Sequence, residues 1–221
     1  MNDFAYDLVA FDMDGVLVDY VSSWSWVHRY FEVDNSEALH LFRTGRIDEM
    51  EFVRRDISLW RTVKPEVHIR DIVEALRDVP LIDGIQETVA ALRYNGIKAV
   101  IISGGIDLVA QRIALGFEFD DYAANTLLTH PDGRLSGEGH LNVDLSDKGE
   151  TLQRFMHKYG VKKERVASIG NSFVDVSMFH HSQLSIAFNP IDDEVRNAAD
   201  VVMEGRNISQ VLEAILAEPQ S

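Results

Sequence analysis

Short apolar runs alternate with amphipathic segments along most of the chain. The first run, at residues 6–11, is dominated by bulky apolar side chains, as in a strand that is buried on both faces. Similar runs follow at 98–102, 165–169, 184–188 and 200–203. Segments with helical periodicity lie between them, at 85–95, 107–115, 148–159, 192–198 and 208–216. This alternation predicts an α/β fold in which helices cover both faces of a doubly wound parallel sheet.

Two segments interrupt this alternation. Residues 19–80 contain several helical patterns and no convincing strand, and they are too long for a simple crossover between strands. They predict a small helical cap, inserted after the first strand into a core made of residues 1–18 and 81–221. The second segment, 122–143, contains Asp132-Gly133 between strand-like runs, which predicts a β-hairpin. All three tryptophans fall in the cap, as its core or as the wall of a pocket: Trp24, Trp26 and Trp60.

The composition and the charge of the chain exclude several classes of protein. Of the 221 residues, 46% are hydrophobic and 26% charged, which is typical of a globular chain. The formal net charge of −15 disfavours binding to the phosphate backbone of a nucleic acid. The chain has no cysteine, which excludes disulfides, zinc thiolates and a cysteine nucleophile. It also has no long apolar run and no basic N-terminal segment, so we expect no membrane partner and a cytoplasmic location.

The first candidate motif follows the first strand. Asp12 and Asp14 are two residues apart, so their carboxylates can point the same way, and Gly15 permits the turn that exposes them. One such carboxylate can accept a phosphoryl group as a nucleophile, while its neighbour acts as general acid and base. A solvated acidic loop has the same pattern, so this motif alone does not decide the function.

Three further polar motifs follow later elements. Ser103-Gly104-Gly105 comes after a predicted strand and offers a hydroxyl and backbone N–H groups to an anion. Lys148 opens a predicted helix, where the helix dipole disfavours a cation unless an anion is bound nearby. Asn171 and Asp175 supply oxygens of the kind that magnesium prefers. Each pattern also occurs in ordinary caps and turns. All four motifs, however, lie at the carboxyl ends of predicted parallel strands or at the helix beside them, where such sheets bind ligands.

In this order, the four motifs resemble those of the haloacid dehalogenase superfamily of phosphohydrolases, and the resemblance covers essentially the whole chain, including the cap. Within the superfamily the chain is most similar to the phosphoserine phosphatase branch. That similarity is carried by Ser103-Gly104-Gly105, the Asp132-Gly133 hairpin, Asp147-Lys148-Gly149, Val176-Ser177-Met178-Phe179 and Ile186-Ala187-Phe188.

The resemblance implies a catalytic role for each motif. Asp12 would be the nucleophile and Asp14 the general acid and base. Ser103, the Gly104 backbone and Lys148 would hold the phosphoryl oxygens. The implied reaction is hydrolysis of a small phosphorylated metabolite through an aspartyl-phosphate, so the chain would be a phosphoric monoester hydrolase whose cap excludes water.

The resemblance also implies Mg²⁺ as the cofactor. Its ligands would be Asp12, the backbone carbonyl of Asp14, Asn171 and Asp175. Asn171 stands where the family has a metal-binding aspartate, so it would bring an amide oxygen without charge and weaken the affinity for the metal.

The chain departs from the phosphoserine phosphatase pattern at three further places. Gly15-Val16 replaces the usual Ser-Thr after the second aspartate. Val21 falls in the register of the glutamate that binds the amino group of phosphoserine. Asp56 falls near the register of the arginine that binds its carboxylate, with Arg54 and Arg55 adjacent. A substrate charge that is buried without a partner is costly, so these changes argue against phosphoserine as the substrate.

Two other functions fit the sequence. Asn171 can mark a catalytically weak chain that is kept as a ligand-binding or regulatory protein. The same motifs also serve phosphotransferases and mutases, in which the acceptor is not water. Magnesium-dependent turnover and analysis of the product separate these alternatives from a phosphatase.

Overall fold

The computed structural model describes residues 5–217. The sequence predicts a frayed tail at 217–221, and nearly all of it lies outside the described residues. The described residues form one seven-stranded sheet in the order β4-β3-β2-β1-β5-β6-β7. The strands are β1 (Leu8–Phe11), β2 (Lys98–Ile106), β3 (Asp121–Thr129), β4 (Leu135–His140), β5 (Val166–Gly170), β6 (Leu184–Phe188) and β7 (Val201–Met203). All neighbouring strands are parallel except β3 and β4.

Helices connect the strands and cover the sheet. They are α1 (Ser23–Tyr30), α2 (Ser36–Arg43), α3 (Glu49–Val63), α4 (Ile69–Ala75), α5 (Ile85–Tyr94), α6 (Asp107–Phe117), α7 (Lys148–Tyr159), α8 (Val176–Phe179), α9 (Asp193–Ala198) and α10 (Leu212–Ile215). The predicted doubly wound fold with helices inserted after the first strand is therefore confirmed. The predicted boundaries of the cap, 19–80, stay a prediction.

The central strand β1 is apolar throughout because both of its faces are buried. Val9 and Phe11 pack on one face against α5, α6 and the inserted helices, while Leu8 and Ala10 pack on the other face against α7. Phe11 lies in register with Ile101 of β2 and Ile169 of β5. The residues that follow these three positions therefore emerge at the same edge of the sheet.

The inserted helices α1 to α4 pack their apolar side chains into the same core that covers one face of the sheet. Asp48 caps the N-terminus of α3 by accepting a hydrogen bond from the backbone N–H of Glu51. Trp60 of α3 is fully buried and stacks on Trp24 at 5.9 Å between ring centroids. Trp60 is thus a core residue, in agreement with the interpretation that the tryptophans form the core of the cap. Trp24 is only partly buried and also contacts the sheet edge.

Two predicted elements differ from the structure. The strand expected at 98–102 extends through Ser103-Gly104-Gly105 to Ile106, with a register shift against β3 after Ile102. The helix expected at 208–216 is a 3-10 turn at Ile208–Val211 followed by α10. The hairpin predicted in 122–143 forms from β3 and β4, and Gly133 turns with φ +84°. None of the helices in the described part of the chain has the length and apolarity that a bilayer crossing requires.

Candidate active site

The predicted site residues meet at the carboxyl end of the sheet. Asp12 directly follows β1, Ser103 and Gly104 lie near the end of β2, and Asn171 directly follows β5. Together with Asp14 and Lys148 they line one cavity of about 240 Å³ between the sheet edge and the inserted helices. A larger open groove, of about 510 Å³, lies between α6, β3 and α7, and none of the predicted site residues lines it.

Lys148 is the electrostatic centre of this group. Its Nζ donates to Oδ1 of Asp12 at 2.7 Å and to Oδ1 of Asp175 at 2.6 Å, and all three side chains are buried. Burial alone would lower the pKa of Lys148, but the carboxylates of Asp12 and Asp175 raise it above its ordinary value. The lysine at the start of α7 is therefore an ammonium held by two carboxylates.

Asp12 and Asp14 both have raised pKa values. Burial and the neighbouring carboxylate of Asp175 raise the pKa of Asp12 to about 7, although Lys148 opposes the shift. Burial also raises the pKa of Asp14 to about 6, against two hydrogen bonds from Ser23 that lower it. These bonds, from the backbone N–H and the hydroxyl of Ser23, both end on Oδ2 of Asp14 at 2.9 Å. Oδ1 of Asp14 is buried without a hydrogen-bond partner in the described residues. A larger fraction of Asp14 is therefore protonated near neutral pH than of an ordinary aspartate.

Two glycines allow the loops to approach this closely. A Cβ on Gly105 would lie 2.6 Å from both Oδ2 of Asp14 and Oγ of Ser23. Gly15 has φ +82°, and a Cβ there would collide with the side-chain amide of Asn171. Both positions therefore require glycine if the motifs are to converge.

The second motif presents a hydroxyl to the cavity. Ser103 Oγ accepts a hydrogen bond from the backbone N–H of Gly105 at 3.0 Å, and its own proton stays available to a ligand. The carbonyl of Gly104 accepts from the indole of Trp24 at 3.0 Å and from Asn125 at 3.3 Å. These hydrogen bonds hold the end of β2 from two sides, so it offers preorganised donors to an anion.

The oxygen atoms of Asp12, Asp14 and Asn171 determine whether this site suits a magnesium ion. In the described residues no group of three or more Asp, Glu or His side chains is placed to hold a metal ion. Asp12, the Asp14 carbonyl and the Asn171 amide nevertheless supply one carboxylate and two neutral oxygens. Magnesium is usually bound by one or two carboxylates, with water and phosphate oxygens completing its shell, so this donor set fits the ion.

Asp175 differs from the other predicted metal ligands. It is fully buried; Oδ1 accepts from Lys148, while Oδ2 accepts from the backbone N–H of Asn171 at 2.9 Å and of Ser172 at 3.1 Å. Direct metal ligation would require one of these contacts to be given up. In the geometry observed, Asp175 orients Lys148 and the loop that carries Asn171.

The structure also brings residues to the site that the sequence motifs did not reveal. Ser23 binds Asp14, and Glu49 of α3 accepts from Asn125 at 3.0 Å and from the backbone N–H of Leu145 at 3.1 Å. Asp48 before α3 and Ser22 before α1 are recognisable as helix caps, and each stands next to one of these residues. Nothing local in the sequence tells that Glu49 faces the cavity.

Glu49 provides a pH-dependent prediction. Burial raises its pKa from 4.5 to about 6, so its contribution to stability is present below pH 4.5 and is lost as the pH rises through 6. We expect the difference in Tm between Glu49→Gln and the wild type to be more positive at pH 7.5 than at pH 5, by a few °C because the carboxylate is only partly buried.

Thermal unfolding at the two pH values, followed by circular dichroism, measures this difference. Glu37→Gln, at an exposed position of α2, is the matched control for the loss of one negative charge. Equal Tm differences at both pH values for Glu49→Gln would contradict the assigned shift.

Comparison with known proteins decides the family. The model of the haloacid dehalogenase-like hydrolases matches residues 6–182, which is more than half of the chain. The chain belongs to this family. The resemblance inferred from the four motifs is thereby confirmed, and so is the prediction of a hydrolase.

Two relatives match nearly the whole chain. A phosphoserine phosphatase from Methanocaldococcus jannaschii is 27% identical over 217 residues, covering 94% of this chain and 97% of the relative. One from Idiomarina loihiensis is 26% identical, covering 93% and 91%. A solved structure described as a phospho-aspartyl intermediate analogue of phosphoserine phosphatase superposes with a TM-score of 0.81 at 25% identity, covering 95% of this chain and 99% of that one. This haloacid dehalogenase-like hydrolase is thus similar to phosphoserine phosphatases over nearly its whole length.

Proposed function

We propose that this hydrolase cleaves the phosphomonoester of a small metabolite through a covalent phosphoryl group on Asp12, with Mg²⁺ bound. The observation that carries the proposal is the buried contact of 2.7 Å between the Lys148 ammonium and Asp12, on a cavity that Ser103 and Asn171 also line. Phosphoryl transfer needs positioning and neutralisation of charge more than covalent assistance, and this arrangement provides both. A cytoplasmic location stays a prediction.

In the first step, a carboxylate oxygen of Asp12 forms a bond to phosphorus while the bond from phosphorus to the ester oxygen breaks. Lys148, the Ser103 hydroxyl and the Gly104 N–H hold the phosphoryl oxygens in line. Asp14 gives its proton to the departing alkoxide. The raised pKa of Asp14 favours this role, because the group must be protonated when the ester binds.

In the second step, water attacks the phosphorus atom of the phosphorylated Asp12. Asp14, now ionised, takes a proton from this water, and the bond between Asp12 and phosphorus breaks. The carboxylate of Asp12 and a protonated Asp14 are restored, so the cycle closes with free phosphate as the second product.

Magnesium would be held by Asp12, the Asp14 carbonyl and the Asn171 amide. When bound, it neutralises the negative charge of the phosphate facing the Asp12 carboxylate. At an effective dielectric constant near 20, two unit charges about 4 Å apart interact by about 4 kcal/mol. Lys148 alone therefore does not offset the repulsion between the phosphate and the Asp12 carboxylate.

Removal of the metal tests this proposal. We expect release of phosphate from p-nitrophenyl phosphate to require millimolar Mg²⁺ and to stop when a chelator is added. Asn171→Asp adds a carboxylate to the ligand set, so it is expected to lower the Mg²⁺ concentration for half-maximal rate about tenfold.

Turnover that continues unchanged when a chelator is added would contradict the metal requirement. Binding of phosphate esters without any turnover would favour a ligand-binding protein, and transfer to an added sugar phosphate would favour a mutase.

A further inference from the structure

The cavity has an acidic wall that the proposed chemistry does not use. One face of α3 lines it with residues spaced by three and four positions: Glu49, Phe52, Val53 and Asp56. Both carboxylate oxygens of Glu49 already accept hydrogen bonds from the sheet side, so Glu49 fastens α3 to the rest of the site. Asp56 is the remaining acid of this face, and only 1% of its surface is exposed.

The contacts of Asp56 leave its charge without a cationic partner. Asn35 donates to Oδ1 at 3.4 Å, and Nε2 of His28 lies 3.3 Å from the same oxygen without the alignment of a hydrogen bond. No hydrogen bond from the described residues reaches Oδ2. A buried carboxylate is costly unless a cation or several donors compensate it, so this oxygen is open to a partner in the cavity.

His28 does not supply that cation. Its Nδ1 accepts a hydrogen bond from the indole N–H of Trp60 at 2.9 Å, in a fully packed part of the helical core. An indole nitrogen can only donate, so Nδ1 carries no proton and the imidazole is in its neutral form with the proton on Nε2. The pair of Trp60 and His28 fixes the position of Asp56 without neutralising it.

We infer that Asp56 selects phosphomonoesters whose alcohol carries a cationic amine and no carboxylate, and this inference rests on the proposed phosphatase function. An ammonium group would supply the missing countercharge, whereas a carboxylate would be repelled. Val21, which also lines the cavity, cannot bind an ammonium, so the recognition falls to Asp56. The small cavity and the aromatic rings of Phe42, Phe52 and Trp24 suit a short aminoalkyl group.

The test compares phosphate release from O-phosphoethanolamine, 3-aminopropyl phosphate, 2-hydroxyethyl phosphate and O-phosphoserine. In the wild type we expect kcat/KM for the better aminoalkyl ester to exceed that for 2-hydroxyethyl phosphate at least tenfold, chiefly through KM. Asp56→Asn keeps the shape of the side chain and removes its charge, so this ratio should fall to about one. Glu51→Gln removes a charge from the outward face of the same helix, and the ratio should persist.

Each outcome supports or overturns the role of Asp56 in substrate selection. Hydrolysis of 2-hydroxyethyl phosphate without preference for an amine overturns the role of Asp56 and leaves the proposed function intact. A preference for O-phosphoserine over both amines also overturns it, and assigns selectivity to Arg43, the exposed cation on the cavity. If Asp56→Asn does not fold, the wild-type ratios of kcat/KM still show whether an aminoalkyl ester is preferred over 2-hydroxyethyl phosphate. Failure to hydrolyse any of these esters and p-nitrophenyl phosphate overturns the proposed function, and this inference with it.

Discussion

Replacement of Asp12 by asparagine is expected to reduce phosphate release by about 10³-fold or more, because a nucleophile acts as a unit with its partners and its loss removes the covalent route. The amide oxygen of asparagine can still accept the hydrogen bond from Lys148, so the fold should be retained. Release of phosphate from p-nitrophenyl phosphate, measured at saturating Mg²⁺, gives the activity. Circular dichroism and Tm establish that the variant is folded.

Asp19→Asn is the matched control for this substitution. Asp19 follows the same loop, but its side chain is exposed and lies outside the cavity. We expect this variant to keep nearly the wild-type rate. Mass spectrometry of acid-quenched wild type during turnover should also find a phosphoryl group on the peptide that contains Asp12. Substantial activity in Asp12→Asn would exclude this carboxylate as the nucleophile.

Replacement of Lys148 by methionine is expected to lower the free energy of unfolding by about 3–5 kcal/mol and to abolish activity. Two buried carboxylates, Asp12 and Asp175, lose their shared cation, and a buried charge without a partner is strongly destabilising. Without the ammonium, the folded-state pKa of Asp12, which burial and the neighbouring Asp175 already raise, rises further above its unfolded value. The variant is therefore stabilised as the pH falls and destabilised as the pH rises. The loss in its free energy of unfolding relative to the wild type should be larger at pH 8 than at pH 5.

Urea unfolding of the wild type and Lys148→Met at these two pH values measures the deficit. Lys158→Met is the control, since Lys158 pairs with Asp121 at an exposed position, and such pairs contribute at most about 1 kcal/mol. Adding Asp175→Asn to Lys148→Met should restore part of the lost stability, because one of the two unpaired carboxylates is gone. A deficit of less than 1 kcal/mol at pH 8 would show that Lys148 does not hold the two acids together.

The sequence predicted the strands and the convergence of the motifs well because both depend on patterns that are visible locally. A strand buried on both faces needs a continuous apolar run, and β1 has one. The extension of β2 through Ser103 to Ile106 was not predictable, since it depends on pairing with β3, a strand that comes later in the chain. Glycine and serine after an apolar run look the same whether they end a strand or continue it.

The sequence could not place the residues that face the cavity from the inserted helices. A helical periodicity shows which residues share a face, but a face that lines a cavity has the same mixture of polar and apolar residues as one that meets solvent. Asp56 shares its face with Val53, and only the packing of His28 and Trp60 around it reveals that it is buried. Likewise, the resemblance implies Asp175 as a metal ligand, and its three hydrogen bonds, from Lys148 and from two loop amides, need tertiary structure to be seen.

The register of the three central strands has a consequence for how such a protein can evolve. Phe11 pairs with both Ile101 and Ile169, so the backbone hydrogen bonds of the sheet set the spacing between the groups after these strands that we propose for the chemistry. The groups proposed to choose the leaving alcohol stand on α3 instead. Mutations on that helix can therefore redirect the protein to a new compound while its reaction is inherited unchanged.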